Sequence, residues 1–104
     1  MVDRKTCRDM TEVRAAIDAI DQEIVALIAD RLYFIEEAAR IKSDREKVRD
    51  DIRVVEVLAK VRAVARAKGI DSDLVSNVYR ELIERSIAHE FNIFDLRHAT
   101  KAAG

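Results

Sequence analysis

The stretch "EIVALIADRLYFIEEAARIK", Glu23–Lys42, has the apolar spacing of a helix that faces a protein core. Two cations, Arg31 and Lys42, fall on the same stripe as Ile28 and Ile35. With about 100° of rotation per residue, Arg31 and Lys42 are only about 20° apart around the helix. A charge that is buried without a partner costs several kcal/mol. The stretch therefore predicts a long helix whose core face carries two positive charges in need of a partner.

The composition around this stretch indicates an all-α protein. The chain has 104 residues, of which 49% are hydrophobic and 38% charged, with no proline and with glycine only at Gly69 and Gly104. So few helix-breaking residues favour helix almost throughout. A chain of this length has room for one domain, which we expect to cover residues 1–104.

Charge and cysteine content exclude several classes of function. The net charge of −1 gives no general attraction to nucleic acid or to an anionic membrane, so anion binding has to be local. The lone Cys7 permits neither an intrachain disulfide nor a cysteine-based metal cluster, and we expect no metal and no cofactor. The first ten residues, "MVDRKTCRDM", contain no apolar segment and nothing later resembles a membrane span, which predicts a cytoplasmic protein.

Three helices are expected, at about 9–43, 51–68 and 71–99. At the start of the first helix, Asp9 forms a capping box with Glu12, three residues later. Gly69 fits the position just after the second helix, where the backbone φ angle is positive. Asp71 or Ser72 would cap the third helix. The intervening "SDREKVRDD" is expected to be a charged, mobile loop.

The length of the first helix predicts a dimer. About 34 helical residues extend about 50 Å, whereas a compact domain of this size has a radius of gyration of about 13 Å. Two shorter helices cannot cover so long an apolar stripe, so we expect an intertwined homodimer. A simple coiled-coil dimer is the alternative, but the stripe is broader than an a/d seam and two further amphipathic helices need partners.

Polar groups also interrupt the apolar faces of the other helices. Arg53 is in line with the core face of the second helix, and Ser86 and Glu90 continue an apolar row of the third. Arg14 lies about 100° from Arg31 around the first helix, so a partner chain would have to bring the two together. These cations could extend to solvent or pair with acids such as Glu90.

Taken together, the inward cations outnumber the inward acids, which predicts a small dicarboxylate ligand bound by forked arginine contacts. No nucleophile paired with a base and no glycine-rich phosphate loop is recognisable. A unimolecular rearrangement fits such a site, because it needs only a bound reactive conformer and stabilisation of the developing charge.

Four segments resemble the all-helical chorismate mutases, a family that includes isochorismate pyruvate lyase. They are "VRAAIDAIDQEIVALIADR", "ARIK", "VRDDIR" and "ERSIAHE", and the resemblance spans residues 9–97. It implies an intertwined dimer of three-helix chains with two active sites. It also implies that Arg31 and Arg53 hold substrate carboxylates, with Arg14 contributed by the other protomer. Lys42 and Glu90 would contact the ether oxygen of the breaking C–O bond.

The resemblance also implies roles for Asp50 and Ser86, which would orient the ring hydroxyl and the carboxylate ends of the substrate. Val54 stands where typical mutases have a glutamate that binds the ring hydroxyl, and the lyase also has valine there. Glu90 stands where both well-known bacterial types have glutamine. Asp50 and Ser86, in contrast, resemble the mutases, so the sequence favours a chorismate mutase, with isochorismate pyruvate lyase as the near alternative. A non-catalytic helical interaction or regulatory module, its inward charges forming structural ion pairs, is a distant third.

Overall fold

A computed structural model describes the backbone of residues 4–103 and the side chains of residues 4–99. The described chain folds into helix α1 (Met10–Ile41), a short 3-10 helix (Arg45–Lys47), helix α2 (Asp51–Ala67) and helix α3 (Ser72–Ala103). The all-α prediction with three main helices is therefore confirmed for this part of the chain. None of these helices combines the length and apolarity needed to cross a membrane.

Helix α1 starts with the predicted cap. The Asp9 carboxylate accepts a hydrogen bond from the backbone N–H of Glu12 at 2.9 Å. The reciprocal half of the capping box is different, since the Glu12 carboxylate accepts from the backbone N–H and the Nε of Arg8, both at 2.8 Å. These two hydrogen bonds lower the pKa of Glu12.

The turn between α2 and α3 depends on Gly69, as predicted. Its φ of 73° is in the left-handed region, which glycine reaches without a side-chain clash. The N–H of Ile70 donates to the carbonyl of Ala65 at 3.0 Å, and the N–H of Gly69 donates to the carbonyl of Arg66 at 3.1 Å. This pair of bonds is the Schellman ending of a helix. Asp71 then caps α3, because its carboxylate accepts from the backbone N–H two residues on at 2.9 Å.

The chain divides into two compact units, residues 1–34 and 35–104. The described part of the first unit contains most of α1, and the second contains the end of α1, the 3-10 helix, α2 and α3. In the second unit α2 and α3 form an antiparallel hairpin: Arg62 pairs with Asp73 near the turn. The expectation of a single domain over residues 1–104 stays a prediction, and its ends lie outside the described residues.

The second unit contains a small buried core. Its fully buried apolar residues are Ala39, Val48, Leu58, Ala65, Ile83 and Phe94. Other apolar side chains of α2 and α3 are exposed, among them Val64, Leu74 and Val78 at 53%, 60% and 60%. Both helices of this unit therefore carry exposed apolar side chains.

The segment before α2 is more regular than expected. It contains the 3-10 helix, and Val48 is only 3% exposed within a cluster with Ala39 and Phe94. The segment is charged, as predicted, and its one buried apolar residue, Val48, anchors it in the core.

Candidate active site

The predicted catalytic residues Lys42 and Glu90 are in direct contact. The Nζ of Lys42 lies 2.7 Å from Oε2 of Glu90, and their side chains are 28% and 5% exposed. Lys42 follows α1 by one residue, and Glu90 lies on α3. One of the inward cations, Lys42, therefore pairs with Glu90, as one of the alternatives from the sequence proposed, and the pair is nearly enclosed.

A backbone carbonyl completes the surroundings of the Lys42 ammonium. Its Nζ donates to the carbonyl of Val48 at 3.3 Å as well as to Glu90. An ammonium group has three N–H donors. Within the described part of the chain these contacts use two of them, so one donor remains for a ligand.

Ser86 lies one helical turn before Glu90 on the same face of α3. It is 2% exposed, and its hydroxyl donates to the carbonyl of Leu82 at 2.7 Å.

Asp50 and Arg53 lie together at the start of α2. The Asp50 carboxylate caps the helix by accepting from the backbone N–H of Arg53 at 3.1 Å. The Arg53 side chain is 58% exposed and lies 3.6 Å from Glu56 on the same helix. The helical periodicity placed Arg53 in line with the core face of α2, but in this structure its side chain is not buried. Val54, next to it, is half-buried.

The two remaining predicted residues, Arg14 and Arg31, belong to the first unit. Arg14 is exposed and Arg31 is half-buried. The stripe of Arg31 also carries Ile17, Ile24 and Leu27, which are 50%, 47% and 66% exposed.

Residues that the sequence reasoning missed hold the segment before α2 against α3. The guanidinium of Arg45 meets Asp95 through two hydrogen bonds of 2.9 and 3.2 Å. That of Arg49 meets Glu84 through two bonds of 3.0 and 2.8 Å. These hydrogen bonds lower the pKa values of Asp95 and Glu84. The sequence showed only that the segment is charged. Which acidic residues its arginines meet depends on how the segment and α3 are aligned in the folded protein.

A cavity of about 400 Å³ opens beside the end of α1, lined by Ala39, Arg40, Ile41, Lys42, Ser43, Arg97 and His98. Its size suits a small molecule, but Lys42 is the one predicted site residue that lines it. The contact between Lys42 and Glu90 is better evidence for the site than this cavity is, because it joins two residues predicted for their chemistry. Among the described residues, no group of three or more His, Cys, Asp or Glu side chains is arranged to hold a metal ion.

The chain is similar to one enzyme family and to several named proteins. The profile of the family "Chorismate mutase type II" matches residues 13–91. An isochorismate pyruvate lyase from Pseudomonas aeruginosa is 27% identical over 84 residues, which cover 81% of this chain and 83% of that protein. Proteins named T-protein from Haemophilus influenzae and Enterobacter agglomerans are 28% and 30% identical, over 78% and 79% of this chain. The matched region spans only 22% of each T-protein.

Proposed function

Because the chain belongs to the type II chorismate mutase family, we propose that it catalyses the rearrangement of chorismate to prephenate without a cofactor. The observation that carries this proposal is the Lys42 ammonium, which Glu90 and the Val48 carbonyl hold at 2.7 and 3.3 Å. A fixed cation with one donor to spare suits a reaction in which negative charge develops on a single oxygen.

In this rearrangement one C–O bond of the substrate breaks while a C–C bond forms, and electron density accumulates on the ether oxygen. The remaining N–H of Lys42 donates to that oxygen. Because the ammonium is already held in place, little reorganisation is needed as the charge develops. Arg14, Arg31 and Arg53 bind the two carboxylates of the substrate. They thereby select the compact substrate conformer in which the two reacting carbon atoms meet.

Glu90 has two possible roles at this oxygen. Ionised, it balances the charge of Lys42 and fixes the ammonium, but it would repel a developing negative charge. Protonated, it donates a second hydrogen bond to the ether oxygen. The 2.7 Å contact with Lys42 favours the first role in the protein without substrate.

The complete site requires a second chain, in an intertwined homodimer. The exposed apolar residues Ile17, Ile24 and Leu27 support this, because a second copy would cover them. Arg14 would then enter the partner's site, beside that chain's own Arg31. The simple coiled-coil alternative leaves the exposed faces of α2 and α3 uncovered.

Subunit complementation tests the crossing arginine. Arg14→Ala and Arg31→Ala are each expected to be nearly inactive, and mixed refolding should restore some activity, because one site of each hybrid keeps both arginines. If hybrids form, as shown by mass spectrometry, and no activity returns, Arg14 does not cross to the neighbouring site.

Isochorismate pyruvate lyase is the second candidate. One observation in its favour is the relative of that name, because the match covers 83% of that protein. Another is Val54, which stands where typical mutases have a glutamate. Parallel assays separate the two: prephenate formation from chorismate, and salicylate fluorescence with isochorismate. Turnover of neither substrate, with no calorimetric binding of a bicyclic dicarboxylate analogue of the mutase transition state, would leave the non-catalytic helical module.

A further inference from the structure

Two forked ion pairs hold the segment before α2, here called the strap (residues 45–49), along one stripe of α3. Arg45 binds Asp95 near one end and Arg49 binds Glu84 near the other. Glu84 and Asp95 are eleven residues apart, which places them about 16 Å apart and within about 20° around the helix. The strap therefore runs antiparallel to α3, with an anchor at each end.

Two further contacts hold the strap in place. The guanidinium of Arg45 lies 4.5 Å from the centroid of the Phe91 ring, a cation–π distance. Val48 packs in the cluster with Ala39 and Phe94. The same Val48 supplies the carbonyl that accepts from Lys42 at 3.3 Å. The strap thus connects the surface ion pairs to the ammonium of the active site.

We propose that Arg45 and Arg49 are positioning residues for the reaction: they hold the strap on α3 and so fix the Val48 carbonyl that orients Lys42. This role rests on the proposed function, in which Lys42 is the charge-stabilising group. Neither arginine touches the substrate.

The exposure of the ion pairs separates this role from a purely structural one. The Arg45 and Asp95 side chains are 60% and 50% exposed, and those of Arg49 and Glu84 are 43% and 54% exposed. Exposed ion pairs contribute little to global stability. A small displacement of a reacting group, in contrast, has a large effect on rate. Loss of an anchor should therefore lower kcat while the protein stays folded.

The test compares Arg45→Gln and Arg49→Gln with Arg85→Gln. Arg85 is a matched control, because it also forms an exposed ion pair on α3, with Glu81 at 2.9 Å, but does not touch the strap. Each strap variant is expected to lower kcat roughly 5- to 20-fold with little change in KM or melting temperature. Arg85→Gln should leave kcat unchanged.

Amide hydrogen exchange gives a readout that does not need activity. The N–H of Val48 donates to the carbonyl of Arg45 at 3.1 Å, and that of Lys47 donates to Asp44 at 3.1 Å. Both amides should exchange faster in the strap variants. They should also exchange faster in wild type as salt is raised, because salt screens exposed charges.

Charge exchange across one anchor completes the design. Arg45→Asp and Asp95→Arg should each lower kcat, and the double variant should recover part of it. The Arg45–Asp95 pair suits this better than Arg49–Glu84, because Arg49 also contacts Asp51 at 3.0 Å. If kcat and amide hydrogen exchange were unchanged in the single variants, the proposal would be overturned. It would also be overturned if both single variants had a lower kcat and the double variant recovered none of it. If wild type turns over neither substrate, the proposed function fails and the catalytic role with it; exchange then decides only whether the anchors order the strap.

Discussion

Replacing Lys42 by methionine should destabilise the fold by leaving a carboxylate enclosed without its partner. Methionine keeps most of the volume of the lysine stem, whereas the Glu90 side chain is only 5% exposed. Removing one member of a buried ion pair costs about 3–5 kcal/mol. Because the Lys42 side chain is itself 28% exposed, water can supply part of what is lost, and we expect the lower part of that range.

This loss of stability has an upper limit, because a carboxylate that is enclosed without a partner can take up a proton instead. An ordinary glutamic acid, with a pKa of about 4.3, costs about 3.7 kcal/mol to keep protonated at pH 7. The Lys42→Met variant should therefore lose about 3–3.5 kcal/mol at pH 7. Protonation removes the charge that is left enclosed, because a neutral carboxyl group needs no cationic partner. The loss of stability should accordingly be smallest near pH 4 and grow as the pH rises.

Urea denaturation followed by circular dichroism, at one protein concentration and at pH 4.5 and 7, measures this loss. The double variant Lys42→Met/Glu90→Gln should regain most of the stability, because no enclosed charge remains. It should regain none of the activity, which we expect to fall about 100- to 1000-fold without the charge-stabilising donor. Arg85→Met, which breaks an exposed pair with Glu81, is the control and should change little. A loss below about 1 kcal/mol at pH 7, or a double variant no more stable than Lys42→Met, would refute the reasoning.

Three further predictions concern Glu90, the strap anchors and the turn. If protonated Glu90 donates to the ether oxygen, kcat should fall as pH rises and Glu90→Gln should flatten that limb; a level wild-type profile would leave Glu90 the role of holding Lys42. Arginine partners lower the pKa values of Glu84 and Asp95, so both anchors should be complete above about pH 4 and be lost as pH falls through the lowered pKa values. The Val48 amide signal in NMR spectra should shift in that acid range, and a signal that stays constant there would contradict this. Gly69→Ala should cost about 1–2 kcal/mol in urea denaturation, because alanine is strained at the φ of 73°; no loss would mean that the turn can relax.

Local sequence signals predicted the helix ends well, because the groups involved are neighbours in the chain. Asp9 caps α1 and Gly69 ends the turn after α2, as their spacing indicated. The start of α2 was right, whereas α3 continues past the predicted end at Ala99 to Ala103. No breaker follows Ala99 before Gly104, so the sequence contained no signal for an earlier stop.

Non-local contacts were predicted only in part. Periodicity placed Lys42 and Glu90 on inward faces, and they meet at 2.7 Å. Periodicity also placed Arg53 inward, yet its side chain is 58% exposed. A hydrophobic period identifies which face of a helix needs covering, but not whether the same chain or another one covers it. The strap anchors were not predictable, because Arg45 and Arg49 had many acidic residues of α3 as possible partners.

The pairing of Lys42 with Glu90 also gives a reason why the proposed site uses several cations rather than one. An ion pair has no net charge, so the carboxylate that makes it possible to enclose Lys42 also removes most of its attraction for a dianion. Lys42 is then suited to one task, a directed hydrogen bond to an oxygen that gains charge during the reaction. Binding the two substrate carboxylates needs other positive groups, and forked guanidinium contacts supply them best. In the proposed site Arg14, Arg31 and Arg53 bind the ground state and the transition state alike, whereas Lys42 contributes chiefly to the transition state. The structural interpretation of the Lys42 charge, as half of an ion pair, is thus a condition for its proposed catalytic role and not an alternative to it.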